Sequence, residues 1–191
     1  MVELKNITKK YGYDTVFEDF SLSIPEGSTT VIMGESGCGK TTLLRVVAGL
    51  EKPDGGKFIA DEKIAVMFQE PRLIPWKSAL ENVKAVIPKD KFHLANKYLS
   101  AVGLENDAAK LPRELSGGMA QRVAFARFLA FAEANDARLL LLDEPFSALD
   151  DETGAKMISI LKDFSVGKTL ILVTHDKTDA EQISNAQIVY L

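Results

Sequence analysis

Short apolar runs bounded by turn-forming residues organise this chain. Residues 2–24 read as short strands around the turn Tyr11-Gly12-Tyr13-Asp14. Residues 28–33 (STTVIM) are β-branched and apolar between Gly27 and Gly34, which predicts a buried strand. A helix is expected over 41–49, then a turn at Pro53-Asp54-Gly55-Gly56, then a short strand over 63–68. The middle of the chain changes period. Residues 89–104 and 117–133 space their apolar positions as helices do, with Gly103 as a stop for the first. Residues 138–142 and 169–174 are unbroken apolar runs, as strands of a parallel sheet covered on both faces are. Helices expected over 152–164 and 177–184 alternate with them, and 188–191 reads as a last strand. That order predicts an α/β sheet with a helical middle inserted into it.

Composition narrows the classes. The 191 residues suffice for one sizeable core, and 46% hydrophobic with 26% charged residues is an ordinary globular balance. A net charge of -4 gives no footprint for nucleic acid. The single cysteine, Cys38, has no disulfide partner within the chain, which suits a reducing cytosol. No apolar run approaches the roughly 20 residues that cross a bilayer, and the first residues carry no apolar signal core. If the protein acts at a membrane, another chain is expected to bring it there.

Three segments carry chemistry. The first is GESGCGKT, with the P-loop spacing, following a predicted strand and opening a predicted helix. Its members Gly34, Glu35, Ser36, Gly37, Cys38, Gly39, Lys40 and Thr41, with Thr42 beyond, would wrap phosphate with inward N–H groups at a helix N-terminus. Lys40 would contact the β- and γ-phosphates and the Thr41 hydroxyl would bind Mg²⁺. The second is Asp143-Glu144 after four leucines. Asp143 would hold Mg²⁺ and Glu144 would polarise an attacking water, although two solvated acids at a strand end are common by themselves. The third is LSGGM. Ser116 can cap the helix that begins near Gly117, and Gly117 and Gly118 let backbone approach a phosphate there, where the bland alternative is a simple cap.

The stretch LSGGMAQRVAFARFLA resembles the signature of ATP-binding cassette (ABC) proteins, with Gln121, Arg122, Ala126, Arg127 and Ala130 in register and Met119 where the family usually has glutamine. The chain as a whole, from Tyr11 to His175, resembles the ATP-binding subunit of an ABC transporter. The resemblance implies a P-loop NTPase cassette of α/β class. It would be a single domain over 1–191, with a mainly parallel sheet, a small N-terminal antiparallel β region and a helical lobe at about 72–133. It further implies that Tyr11 stacks on adenine, Gln69 touches Mg²⁺ and the water region, Ser147 to Asp150 form the D-loop, and His175 contacts the γ-phosphate. Lys40, Gln69, Glu144 and His175 would be the catalytic set, with Thr41, Gln69 and Asp143 at the metal. His93 and Cys38 take no catalytic role. In that family two subunits face head to tail, each ATP lying between one P-loop and the other's LSGGM, so a homodimer forms on ATP binding. Transmembrane permease subunits are the implied partners, and the location is peripheral on the cytoplasmic face of the membrane.

The segment EPRLIPWKSALENV after Gln69 resembles the nitrate, sulfonate and taurine importer ATPases. Its Leu73, Ile74 and Trp76 are either an exposed patch for the membrane partner or simply core. The stretch from Gly56 to Gln69 is shorter than in that family and the chain stops at Leu191, so a minimal or trimmed cassette is expected, with a reduced antiparallel region. The rival reading in another class is a soluble ABC ATPase that clamps in cofactor assembly or DNA maintenance. No heptad run or basic patch favours the DNA version. A P-loop kinase or GTPase leaves LSGGM, Asp150 and His175 unexplained together, and an exporter cassette is usually fused to membrane segments.

Overall fold

The computed structural model describes residues 1–60, 62–183 and 186–191. Two sheets form. Strands β1 (Val2–Tyr11), β2 (Asp14–Ile24) and β4 (Gly55–Ala60) make an antiparallel sheet in the order β2-β1-β4. Strands β3 (Thr29–Met33), β5 (Ile64–Met67), β6 (Leu139–Asp143), β7 (Thr169–Val173) and β8 (Gln187–Tyr190) make a parallel sheet in the order β5-β6-β7-β3-β8.

The unbroken apolar runs have the predicted cause. Every residue of β6 and β7 is buried. Alternate side chains serve opposite faces, because side chains along a strand repeat every two residues. Leu140, Leu142, Leu170 and Leu172 join one core with Val123, Leu129, Met157 and Leu161. Leu139, Leu141, Ile171 and Val173 join the other with Leu43, Val47, Leu4 and Ile24. One face is thus covered by helices and the other by helix α1 (Lys40–Val47) and the antiparallel sheet.

Helices α2 (Ala79–Lys84), α3 (His93–Ala101) and α4 (Gly117–Ala134) occupy the stretch between β5 and β6 and pack on one another. Helices α5 (Asp151–Ser165) and α6 (Lys177–Gln182) follow β6 and β7. Among the described residues, no helix is long and apolar enough to cross a membrane.

The expected elements differ from this in four places. The helix expected over 89–104 is a 3-10 turn at Lys89–Lys91 followed by α3. Pro88 precedes that turn in extended backbone, and its carbonyl accepts the Lys91 N–H at 3.0 Å, the shorter-range bond of a 3-10 turn. Helix α2 carried too few turns to show a period, and its signal was the capping box Ser78–Glu81. Strand β4 was hidden in the glycine-rich turn; it is the one strand that the short stretch after Gly56 adds to the antiparallel sheet. The helix expected to 184 ends at Gln182, and Ser184 lies outside the described residues.

Candidate nucleotide site

The site lies at the carboxyl ends of β3, β6 and β7, where ligands sit in open parallel sheets. The chain leaves β3 at Met33 and curls through the P-loop into α1. Gly39 stands at the helix N-cap with φ +105°. A side chain there would meet Val16 at 2.5 Å and the Phe17 ring at 2.8 Å, so only glycine fits both the backbone and the space. Lys40 is almost wholly buried, and its Nζ donates to the Gly34 and Glu35 carbonyls at 2.7 and 2.8 Å. The ammonium is held across the mouth of its own loop.

Strand β6 delivers the acids. The Thr41 hydroxyl donates to Asp143 Oδ2 at 2.7 Å. Asp143 is 2% exposed, and its Oδ1 has no hydrogen-bond partner among the described residues. Burial pushes the Asp143 carboxyl above the usual range; the Thr41 bond opposes this and the nearby Glu144 charge adds to it. Glu144 has φ +46°, a left-handed conformation that side-chain-bearing residues seldom adopt. Its N–H donates to the Val173 carbonyl at 2.9 Å, extending the β6–β7 pairing by one residue before the chain turns. That turn aims the carboxylate at the end of β7, where His175 Nδ1–H donates to Glu144 Oε2 at 2.7 Å.

Ser36, Gly37, Gly39, Lys40, Thr41, Thr42, Gln69, Asp143, Glu144 and His175 line one cleft of about 310 Å³. The structure thus brings together the P-loop, both acids, the glutamine and the histidine singled out in the sequence. Tyr11, Ser116, Gly117 and Gly118 stand elsewhere, and Gly34, Glu35 and Cys38 belong to the P-loop without lining the cleft. Tyr11 is at the tip of the β1–β2 hairpin, its hydroxyl bonded to Glu51 and its ring beside the Lys9 ammonium. Ser116 caps α4 by accepting the Met119 N–H at 3.2 Å, with Gly117 and Gly118 in the first turn. Cys38 is a free thiol in the P-loop. Trp76 is 77% exposed, so the core alternative does not hold for it.

Several side chains that shape the site had no such reading in the sequence. Fully buried Asn82 accepts from the Ile74 N–H at 2.7 Å and donates to the carbonyls of Ile74, Lys77 and Ser78, fixing the loop that exposes Trp76. Arg127 donates to the Pro71 and Arg72 carbonyls at 2.6 and 3.1 Å, tying α4 to the loop after Gln69. Gln121 donates to the Pro145 carbonyl beside Glu144. The bonds of Gln121 and Arg127 go to backbone carbonyls of distant segments, which no local spacing reveals, whereas Asn82 binds carbonyls of the loop just before its own helix. The available signal was a polar residue on the apolar face of a helix.

Comparisons with known proteins agree with this geometry. The family described as ABC transporter matches residues 17–147. The aliphatic sulfonates import ATP-binding protein SsuB 2 of Paraburkholderia xenovorans is 42% identical over 194 residues, covering 98% of this chain and 76% of that protein. The aliphatic sulfonates import ATP-binding protein SsuB of Pectobacterium atrosepticum is 42% identical over 196 residues, covering 97% of this chain and 72% of its own length. A solved dimeric ATP-binding cassette in a post-hydrolysis state, bound to ADP and Pi, superposes with a TM-score of 0.89 at 35% identity, covering 100% of this chain and 94% of that one. The chain belongs to the ABC transporter family, as its ATP-binding and ATP-hydrolysing cassette.

Proposed function

We propose that this cassette drives a membrane importer for a small solute, of the kind that its relatives named for aliphatic sulfonates serve. The observation that carries the chemistry is the Glu144–His175 pair at 2.7 Å beside the Thr41–Asp143 pair, all lining the cleft that the P-loop closes. Triphosphate lies along the P-loop N–H groups, and Lys40 exchanges its two loop carbonyls for phosphate oxygens. Glu144 accepts a proton from the attacking water, and His175 holds that carboxylate in place and reaches the γ-phosphate. Tyr11 offers its ring to the adenine.

Mg²⁺ fits the residues present. Asp143 Oδ1 is a buried carboxylate oxygen without a protein partner, and its other oxygen already holds the Thr41 hydroxyl. Hard oxygen donors of this kind suit magnesium, which takes few protein ligands and completes its shell with phosphate oxygens and water. Thr41, Asp143 and Gln69 would hold it, and it would supply charge neutralisation at the β- and γ-phosphates.

Ser116, Gly117 and Gly118 stand at a helix N-terminus outside the cleft, which supports their use on a second subunit's nucleotide. Two chains then close head to tail around two ATP molecules, with the helices at 72–133 moving as a lobe. The permease contacts the loop at 74–78, where Asn82 holds Trp76 outward, and the cassette works as a peripheral subunit on the cytoplasmic side. The test is the solution mass of Glu144→Gln with and without ATP, read by light scattering, together with its turnover. An ATP-dependent monomer-to-dimer shift with turnover abolished is the expected result. Normal turnover overturns the role of Glu144. A Ser116→Arg variant with intact ATPase activity overturns the shared site.

A further inference from the structure

Helix α4 is fastened to the segment that follows Glu144 by a row of contacts that the roles above leave unused. At its start, Gly118 lies so near the Ala148 carbonyl that a Cβ would stand 3.3 Å from it. One turn on, Gln121 is 2% exposed and its Nε2 donates to the Pro145 carbonyl at 2.9 Å. A backbone carbonyl only accepts, so the amide must present its NH₂ there. A further turn on, Phe125 is 1% exposed and meets Phe146 edge to face, with centroids 5.8 Å apart. The residue before Pro145 is Glu144, in its left-handed conformation. Such a conformation persists where the surroundings over-determine it. One tie is local, the Ser147 hydroxyl to the Glu144 carbonyl at 3.1 Å, and strand β7 with the loop after it gives two more, through Val173 and His175. Gln121 adds a tie from helix α4, a different part of the fold.

We propose that Gln121 is a positioning residue for hydrolysis. Through the Pro145 carbonyl it holds the Glu144 turn in the geometry that aims the carboxylate at its water. It also makes that geometry depend on where α4 sits. The inference rests on the reading that the N-terminus of α4 grips the nucleotide of a second subunit. A nucleotide caught by that end of α4 then firms the Glu144 turn of the same chain, which serves the other nucleotide. Two sites joined in this way help each other, which is a coupling free energy and not a new contact with ATP.

The experiment uses the full chain carrying Gln121→Met, which keeps the length of the side chain and removes its donor. Turnover, KM for ATP, the Hill coefficient and the ATP-dependent dimer mass are measured. The expected result is a loss of about 10- to 100-fold in kcat, the scale of a misplaced reacting group. KM stays within about twofold of the parent, the dimer still forms, and the Hill coefficient falls toward 1. Phe125→Leu loosens the same row without touching a hydrogen bond, and it should show a smaller kcat loss with the same unchanged KM. It decides the matter if Gln121→Met does not fold. Parent-like kcat and Hill coefficient in the folded variants overturn the inference. So does a kcat loss matched by a rise in KM, which marks a structural role alone. Glu144→Gln and Ser116→Arg are run alongside. Unchanged turnover in either removes the reading beneath the inference. Loss of turnover in both, with parent-like Gln121→Met, removes only the role of Gln121.

Discussion

Asp179 is a carboxylate that this protein keeps at a cost. It is half-buried beside the loop carrying His175, where its carboxylate accepts a long hydrogen bond, 3.4 Å from the Thr174 hydroxyl. Burial, then the Asp176 charge, pushes its pKa from 3.8 up to about 6. In the folded chain it therefore binds a proton more tightly than in the unfolded chain. Between pH 3.8 and about 6 the folded state holds more protons, so stability falls as pH rises through that window and stays lower above it. At 1.36 kcal/mol per tenfold change the rise from 3.8 to about 6 is worth at most about 3 kcal/mol. Half of the group remains in contact with water, which screens it, and about 1 kcal/mol is the better expectation. Replacing Asp179 by asparagine keeps the shape and removes the charge. The variant should melt about 2–4 °C above the parent at pH 8, the shift that 1 kcal/mol gives a chain of this size. The difference should vanish below pH 4. Thermal unfolding of both proteins across pH 4 to 8 measures this. A gain that is equal at both ends of the range, or a loss at pH 8, would refute the electrostatic argument.

Three further substitutions test other parts of the structure. Leu140→Ala empties a fully buried position on the interior strand β6 and should cost about 2–5 kcal/mol, read from urea unfolding. Gly39→Ala forces a Cβ to within 2.5 Å of Val16 at φ +105°; it should lower stability by about 1–3 kcal/mol and weaken nucleotide binding, checked by unfolding and by ATP titration. Trp76→Ala removes a ring that is 77% exposed, so melting and the ATPase activity of the free chain should stay within about 0.5 kcal/mol of the parent, while capture by the proposed membrane partner weakens; a clear drop in melting temperature refutes the exposed role.

Much of the fold was legible because it is written in local terms. Four leucines before Asp143 and the run from Thr169 to Val173 predicted buried parallel strands, since both faces of such a strand must be apolar. The P-loop spacing predicted a strand, a glycine turn and a helix start, because wrapping phosphate with N–H groups requires all three. Strand β4 and helix α2 were less legible. The first is held by pairing with β1 across 50 residues of chain and the second by a cap and its packing on α4, not by any period of their own.

The candidate site divides in the same way. Its candidate residues, Lys40, Thr41, Asp143, Glu144 and His175, stood at motif positions, which match the cation, metal ligand and base that the proposed phosphoryl transfer calls for. What the sequence could not decide was which groups meet. That Asp143 has one oxygen on Thr41 and one without a partner depends on β6 lying two strands from β3. That Glu144 turns left-handed onto His175 depends on β7 lying beside β6. The bonds of Gln121 and Arg127 to distant carbonyls, and the exposure of Trp76, follow from tertiary packing. Local propensity and motif spacing act over a few residues. Hydrogen bonds between segments 20 to 100 residues apart form only once the sheet order has brought their ends together.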